Sequence, residues 1–209
     1  MVFYLPADYH DSIIKDLADG LIFNKSLRIL DLNNVVCQDD KILKYFFDSL
    51  TKHKNIEHLK IDRTVFSNEI VSEFLEKKHP SLKKIDIFIS SNNGDGKKLI
   101  ENLMKFESLE ELNIEYHSIF ENIFIENLKH MKSIKKLKVD HVIKDLDLFI
   151  DSMENLHNLV GFVNRGIGVA EKCPSKIKSY IIRNKKRLEM ENHFPLKSNL
   201  KFFDISFKF

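Results

Sequence analysis

The chain has 209 residues, 43% of them hydrophobic, and a formal net charge of +2 at pH 7. This length suits one domain or one array of repeats, and the apolar content is enough to build a core. No run of about 18 apolar residues is present, so we expect no insertion into a membrane. The first residues lack a basic region and have only a very short apolar stretch, which argues against a secretory signal peptide.

The first predicted element is an amphipathic helix over residues 11–23. Asp11 and Ser12 are both suitable N-cap residues for it, because their side-chain oxygens can accept hydrogen bonds from the first turn. We expect residues 1–25 to form a capping helix at the N-terminal end of the fold.

A short phrase then recurs along the chain. It consists of a small polar residue, an apolar residue, and two further apolar residues three and five positions later. The first intervals between copies are 29, 26, 27 and 25 residues, and self-similarity at this period predicts a solenoid. Well-formed copies place their first apolar residue at Leu27, Ile56, Leu82, Leu109 and Ile134, and weaker copies at Leu159, Ile177 and Leu200.

The residues between the copies are equally regular. Apolar residues lie six, nine and ten positions before the phrase, as Phe46, Phe47 and Leu50 do in one repeat, and this spacing places them on one stripe of a helix. The apolar triplet itself has a period of two, which predicts a short strand with one buried face. Each repeat is therefore a helix followed by a strand, and successive strands should pair in parallel with the helices as crossovers.

The L-x-x-L-x-L phrase resembles the leucine-rich-repeat family, and the helix length resembles its ribonuclease-inhibitor subtype. The resemblance covers roughly residues 12–209 and implies an α/β solenoid with about eight parallel strands on the concave face and helices on the convex face. The family usually has Asn or Cys three residues after the third apolar position, and this chain departs from that pattern. It has Val35, Thr64, Ser90, His117 and Val142 there, so we expect irregular turns.

We therefore predict a single leucine-rich-repeat domain over residues 1–209. After the capping segment, residues 26–160 should form regular repeats and residues 161–209 irregular, basic ones. This last segment holds 11 of the 33 basic residues but only 4 of the 31 acidic ones. It is either a solvated ridge or a contact surface for an acidic partner. A nucleic-acid partner is not expected, because the basic run lacks the interleaved aromatics of a stacking platform.

Motifs that carry chemistry are absent from the sequence. No G-x-S-x-G, H-E-x-x-H or C-x-x-C occurs, and Gly94–Lys98 lacks the full phosphate-loop pattern. None of the nine His residues has the spacing of a metal ligand. We expect no enzyme activity, metal, cofactor or small-molecule substrate. Cys37 and Cys173 are predicted to be unpaired buried thiols, which favours a reducing, cytoplasmic compartment.

The candidate site is the concave face of the predicted sheet. Side chains between the buried strand positions point outward, and equivalent positions of parallel strands form columns that mix both charge signs. Phe88, Ile89 and Tyr116 are predicted at outward positions in mid-array, as in an interface hot spot, unless the strand of the third repeat is irregular and turns them inward. The predicted protein-binding residues are His58, Lys60, Asp62, Arg63, Lys84, Asp86, Phe88, Glu111, Glu115, Tyr116, Lys138, Asp140 and His141.

These features predict a non-enzymatic module that captures or inhibits a partner protein in a one-to-one complex. The Lys-, Ile-, Asn- and Phe-rich composition is associated with AT-rich genomes. An effector of an intracellular bacterium, or a regulator of such an effector, fits that setting, and the host cytosol would then be its site of action. The alternative is the substrate-receptor repeat domain of a ubiquitin ligase.

Overall fold

The computed structural model describes residues 2–4, 11–33, 35–61, 64, 66–164 and 174–191. Strands and helices alternate along this part of the chain, as the period of the phrase predicts. The strands are β1 Val2–Tyr4, β2 Ile29–Asp31, β3 His58–Ile61, β4 Lys84–Ile89, β5 Glu111–Tyr116, β6 Lys136–Val139 and β7 Gly161–Asn164. The α-helices are α1 Asp11–Leu21, α2 Asp40–Lys52, α3 Asn68–Glu76, α4 Gly96–Met104, α5 Glu121–Leu128, α6 Leu146–Met153 and α7 Pro174–Glu191, and a 3₁₀ turn, Ser118–Phe120, precedes α5.

The strands form one parallel sheet whose spatial order is the order of the sequence, β1 to β7. Equivalent positions of the repeats are in register, as in the series Leu59, Ile85, Leu112 and Leu137. Residues alternate between buried and half-exposed along β3, β4, β5 and β6, because successive side chains of a strand point to opposite faces. The buried face packs against the helices, and none of the described helices packs on the other face, which we call the open face.

One continuous apolar core lies between the sheet and the helices. Phenylalanine rings fill much of it, and the ring of Phe47 on α2 lies 5.1 Å from that of Phe74 on α3, centroid to centroid. Neighbouring helices therefore share aromatic packing as well as aliphatic contacts. The described residues include no helix with both the length and the apolar character that crossing a bilayer requires.

In five copies of the phrase, the small polar residue that opens it joins the repeat to the one before it. The hydroxyl of Ser108 donates to the carbonyl oxygen of Leu82, 3.0 Å away, and so satisfies a backbone group between two repeats. The longer Asn side chain makes the same connection through its amide. Equivalent bonds run from Asn55 to Lys25, Ser81 to Ile56, Ser133 to Leu109 and Asn158 to Lys132.

A second link joins the repeats beyond the carboxyl ends of the strands. The carboxylate of Glu69, in the first turn of α3, accepts a hydrogen bond at 2.6 Å from the backbone N–H of Asp95, which caps α4. This contact requires glycine at position 94, where φ is +94° and a Cβ atom would lie 2.1 Å from the Glu69 carboxylate oxygens. Asp11 and Glu121 make equivalent bonds, to the N–H groups of Gln38 and of Lys144 and Asp145.

The strand content differs from the prediction at both ends of the chain. Strand β1 precedes α1 in the segment for which only a capping helix was predicted. The weak copy at Ile177 is wrong as a strand, because it lies in α7. The predicted strand at Leu200 lies outside the described residues. Seven strands are thus described, and six of them match predicted copies.

Helix α7 replaces the predicted strand because its apolar residues also have helical spacing. Ile177 and Ile181 are buried four residues apart, whereas Ile182 is 52% exposed. The side-chain amide of Asn184 donates to the carbonyl oxygens of Leu156 and Leu159, at 2.8 and 3.0 Å. The helix therefore satisfies backbone groups of the preceding repeat.

The register predicts a large cost for shortening a side chain in the core. Leu112 on β5 is fully buried, so Leu112→Ala should lower the free energy of unfolding by about 2–5 kcal/mol through cavity formation. Chemical denaturation would measure this loss. Leu148→Ala, the same change at an exposed position of α6, is the control and should have little effect. Equal stability of the two variants would contradict the strand register that places Leu112 on the buried face of the sheet.

Candidate functional site

Charged side chains form a ladder across the open face. Lys84, Glu111 and Lys136 are in register on β4, β5 and β6. The two carboxylate oxygens of Glu111 are divided between its neighbours, with Lys84 Nζ at 3.4 Å and Lys136 Nζ at 2.5 Å. The alternation of charge predicted for this column is therefore realised as ion pairs.

A second column of the ladder centres on Asp86. Its two carboxylate oxygens lie 3.0 Å from His58 Nε2 and 2.5 Å from Asn113 Nδ2, which donates a hydrogen bond. In the same column, Lys60 Nζ pairs with Asp31 at 3.0 Å. The side chains of His58 and Asp86 are only 12% and 15% exposed, so these polar groups are partly removed from solvent.

The two central carboxylates of the ladder have lowered pKa values. Burial by itself raises the pKa of Asp86, but the hydrogen bonds and charges of His58, Lys84 and Asn113 outweigh it, and the pKa is lowered. Burial acts on Glu111 in the same way, and the ammonium groups of Lys136 and Lys84 lower its pKa overall. Both groups are therefore ionised at neutral pH, and the ladder is held by opposite charges.

Nine of the predicted site residues belong to the open face as expected. Asp140 follows β6 and continues the sheet, because its N–H donates to the carbonyl oxygen of Ile114 at 2.8 Å, and its carboxylate lies 3.5 Å from Lys138 Nζ. Asp62 and Arg63 lie outside the described residues. The nine are His58, Lys60, Lys84, Asp86, Phe88, Glu111, Glu115, Lys138 and Asp140.

The prediction that Tyr116 points outward is wrong, and so is that for Ile89. Tyr116 is only 2% exposed and Ile89 is fully buried. Both residues lie two positions beyond the last apolar residue of the phrase, and a period of two places them on its buried face. Phe88 has the opposite parity and stays half-exposed on the open face, in register with Glu115.

Exposed or half-exposed apolar side chains occur at or just after the ends of the adjacent strands β4, β5 and β6. Ile119 is 61% exposed and Val142 is 42% exposed, each three residues after the end of its strand. We call this edge of the open face the rim, defined by Phe88, Glu115, Ile119, Asp140 and Val142. The sequence analysis did not include Ile119 and Val142 in the site. The available signal was Val142 itself, an apolar residue at a turn position where the repeat family has a polar one.

A buried polar cluster lies beneath the rim. Glu121, only 4% exposed, accepts hydrogen bonds through Oε1 from the N–H groups of Lys144 and Asp145, at 2.5 and 3.2 Å. Its Oε2 lies 3.7 Å from His141 Nε2, and the His141 ring packs on that of Tyr116 with centroids 4.7 Å apart. The predicted outward position of His141 is thus also wrong. Its ring is turned into the cluster by this packing.

Burial also sets the protonation states in this cluster. It lowers the pKa of His141 despite the attraction of Glu121, and the charges of Lys144 and His117 lower it further. Burial raises the pKa of Tyr116, and the carboxylate of Glu121 adds to the effect. Both rings are therefore neutral at pH 7. Neither Tyr116 Oη nor His141 Nε2 has a hydrogen-bond partner among the described residues.

Two other sites of potential chemistry offer little reactivity. Cys37 is a buried free thiol, and burial, the carboxylate of Asp11 and other contacts raise its pKa to about 12, so it is protonated at neutral pH. In the part of the chain that the structure describes, no three His, Cys, Asp or Glu side chains are grouped to hold a metal ion. Cys173 lies outside that part.

Comparisons with known proteins identify the fold but no family. No family model matches the chain, and no curated protein matches it. Thirty-six chains of solved structures match. One is leiomodin-1 actin-binding site 2, with a TM-score of 0.51 and 9% identity over 90% of this chain and 95% of that one. Another is the tropomodulin C-terminal domain of Caenorhabditis elegans, with a TM-score of 0.47 and 15% identity over 86% and 97% of the two chains.

The predicted resemblance to the ribonuclease-inhibitor subtype is wrong. The structural likeness found is to a leiomodin-1 domain and not to repeats of the ribonuclease-inhibitor type. The phrase specifies a buried strand face and parallel pairing, which any stacked helix–strand repeat needs. The turns distinguish such repeats from one another, and this chain lacks the usual Asn or Cys there.

The ladder predicts a loss of stability in acid. The contributions of Asp86 and Glu111 are complete above their ordinary pKa values of 3.8 and 4.5, and are lost as the pH falls through the lowered folded-state values. At pH 7 Asp86→Asn should cost about 1–3 kcal/mol, the value of hydrogen bonds to a charged group. Urea unfolding from pH 7 to about pH 3 would measure this, and the difference in the free energy of unfolding between wild type and Asp86→Asn should shrink as the pH falls. A difference in the free energy of unfolding that stays constant with pH would show that the charge of Asp86 does not stabilise the fold.

Because the hydroxyl of Tyr116 has no hydrogen-bond partner among the described residues, we expect its removal not to lower the stability of the fold. Tyr116→Phe keeps the ring contacts with Phe124 and His141 and removes a buried polar group that has no partner among the described residues. The melting temperature should stay unchanged or rise, because burying an unpaired hydroxyl costs about 1–3 kcal/mol. Tyr116→Leu, which also removes the ring, should lower it. A clear loss of stability in Tyr116→Phe would show that the hydroxyl is hydrogen-bonded in solution.

Proposed function

We propose that this chain is a protein-binding module whose contact surface is the rim together with the adjoining open face. The single observation that carries this proposal is that half-exposed Phe88 and exposed Ile119 and Val142 lie at or just after the ends of three adjacent strands. Exposed apolar side chains next to polar ones are the composition of a protein contact surface. The charged ladder beside them is already paired within the chain.

The rim and the ladder have different roles in this proposal. Burying the rim side chains would supply most of the affinity, at roughly 25 cal/mol for each Å² of apolar surface removed from water. The ladder would contribute less affinity, because exposed ion pairs are worth about 0–1 kcal/mol and most of its charges already have partners. Its alternating charges would instead set the orientation of the partner and the rate of association.

The proposed role is non-enzymatic and one-to-one, in which the module captures or inhibits its partner. The protonated thiol of Cys37 and the lack of a metal-ligand group among the described side chains support a non-enzymatic role. An effector or an effector regulator in a reducing cytoplasm remains the setting that the composition favours. The substrate receptor of a ubiquitin ligase is the alternative, and co-capture of ligase components would distinguish it.

Actin is the first named partner to test. The fold match to leiomodin-1 actin-binding site 2 extends over nearly all of both chains. Because the identity is 9%, this likeness concerns the fold, and the actin proposal depends on experiment. Co-sedimentation with filaments, and gel filtration with monomeric actin, would test both forms of that partner.

The proposed surface predicts which substitution weakens binding. Phe88→Ser should weaken binding of the native partner by ~1–3 kcal/mol, mainly through faster dissociation, because it removes the aromatic side chain of the rim. Phe23→Ser is the matched control, since Phe23 is 83% exposed in the turn after α1, away from the rim. Wild type and both variants would be used as baits in native extract, and the affinity of the captured protein then measured by calorimetry.

The expected result is one protein retained by wild type and by Phe23→Ser but depleted on Phe88→Ser. Ile119→Ser and Val142→Ser should reproduce the depletion. Circular dichroism must show that each variant is folded. Equal capture by all folded variants would contradict the rim as the contact surface, and the basic exposed face of α7 would then be tested next.

A further inference from the structure

The segment that carries Val142 to the rim is held by three contacts. At its start, the N–H of Asp140 donates to the sheet at Ile114. In its middle, the ring of His141 packs against Tyr116. At its end, the N–H groups of Lys144 and Asp145 donate to the buried carboxylate of Glu121. The position of Val142 therefore depends on residues buried directly beneath it.

The sheet register makes His141 an exception among the repeats. Ile114 pairs with Val139, so His141, two residues further, occupies the position that Tyr116 has in β5 and Ile89 in β4. Those two residues are buried and uncharged at physiological pH. An imidazole at this position can gain a proton and a charge under mildly acidic conditions, which neither of its counterparts can do.

We propose that His141 makes the rim sensitive to pH, so that protonation of its ring releases the segment 140–145 from Tyr116 and Glu121 and weakens partner binding. This inference rests on the proposed function of the rim. It adds regulation to that surface. The partner would be bound at neutral pH and released in a mildly acidic environment.

The charges around His141 determine the direction of the effect. Glu121 on α5 is the acidic group that favours a positive charge on the ring, and Lys144 and His117 oppose it. Tyr116 on β5 offers an uncharged ring face. Because burial and these two cations lower the pKa of His141 in the closed arrangement, an open arrangement binds the proton more tightly. The closed arrangement is thus favoured above the ordinary pKa of 6.5 and loses stability as the pH falls below it.

Glu121 attracts the protonated ring but cannot hydrogen-bond to it without movement. Its Oε2 lies 3.7 Å from His141 Nε2, beyond hydrogen-bond distance, and its Oε1 is already occupied by the two backbone donors. A shift of the carboxylate towards the ring would weaken its bonds to Lys144 and Asp145. Either response to protonation therefore loosens the end of the segment.

The chain contains an internal control for this proposal. Glu69 holds the N–H of Asp95 ahead of α4 as Glu121 holds Lys144 and Asp145 ahead of α6. The register position corresponding to His141 in that repeat is the apolar Ile89. Acidification should therefore loosen the link at Glu121 and leave the link at Glu69 intact.

Amide hydrogen exchange on the isolated protein tests the proposal without a partner. After correction for the intrinsic effect of pH, protection at Lys144 and Asp145 should fall ~3- to 10-fold between about pH 7.5 and about pH 5.5, while that at Asp95 stays constant. His141→Phe, which fills the same space with a ring that does not titrate, should abolish the fall. His130→Gln, at an exposed position after α5, should keep it. The NMR signal of the His141 ring should titrate over the same range.

The outcomes separate this proposal from the proposed function. Protection at Lys144 and Asp145 that is independent of pH, or a fall that persists in His141→Phe, would overturn the pH switch. If His141→Phe does not fold, His141→Gln gives the same test. Failure of the rim to bind a partner leaves the exchange result unchanged. Once a partner is known, wild type should bind it at least ~3-fold more weakly at about pH 5.5, and His141→Phe should not.

Discussion

The structure depends on the burial of one apolar stripe per repeat by the next repeat. A strand such as β5, with Leu112 and Ile114 on one face, cannot bury that face by itself, and neither can the short helix that precedes it. Stacking in parallel solves both problems, because each helix–strand unit contributes a strip to one continuous core. Strand order follows chain order for this reason, and every equivalent position becomes a neighbour of its counterpart.

Polar contacts between repeats make that stacking specific. At one edge, residues such as Ser108 donate to the preceding repeat, and at the other, carboxylates such as those of Glu69 and Glu121 accept from the following one. These bonds satisfy backbone groups that would otherwise be buried without partners, so a shift in register would cost several of them at once. A fixed register then places Lys84, Glu111 and their neighbours in the columns where opposite charges meet.

The candidate site arises where this regularity ends. Past the last apolar residue of β5 and β6, the chain exposes Ile119 and Val142 and holds the partly buried ring of His141 beside Glu121. Exposed apolar groups and a partly buried titratable ring both cost stability, and departures of this kind from local consistency are concentrated at functional sites. The rim and the cluster beneath it share one short segment, which is why the proposed binding surface and its proposed regulation are linked.

Much of the fold was determined by local patterns in the sequence. The period-two triplets predicted six of the described strands, and equal spacing within the repeats predicted the columns of the ladder, because parallel pairing in register leaves little other freedom. The polar residue that opens each phrase was visible as a pattern, but its bond to the preceding repeat was not. Such a bond joins residues about 25 positions apart, and only the stacked chain brings them together.

The tertiary structure decided the remaining features. The apolar residues around Ile177 fit both a strand and a helix, and packing against the preceding repeat selected α7. Tyr116 turned inward because β5 continues for two residues beyond its triplet, a length that pairing with β4 sets. The rim combines residues from separate repeats, and so do the hydrogen bonds that Glu121 accepts from Lys144 and Asp145. Sequence spacing specifies which face a side chain takes within its own element, but contacts between elements depend on where each strand ends, and that is settled only when neighbours pair.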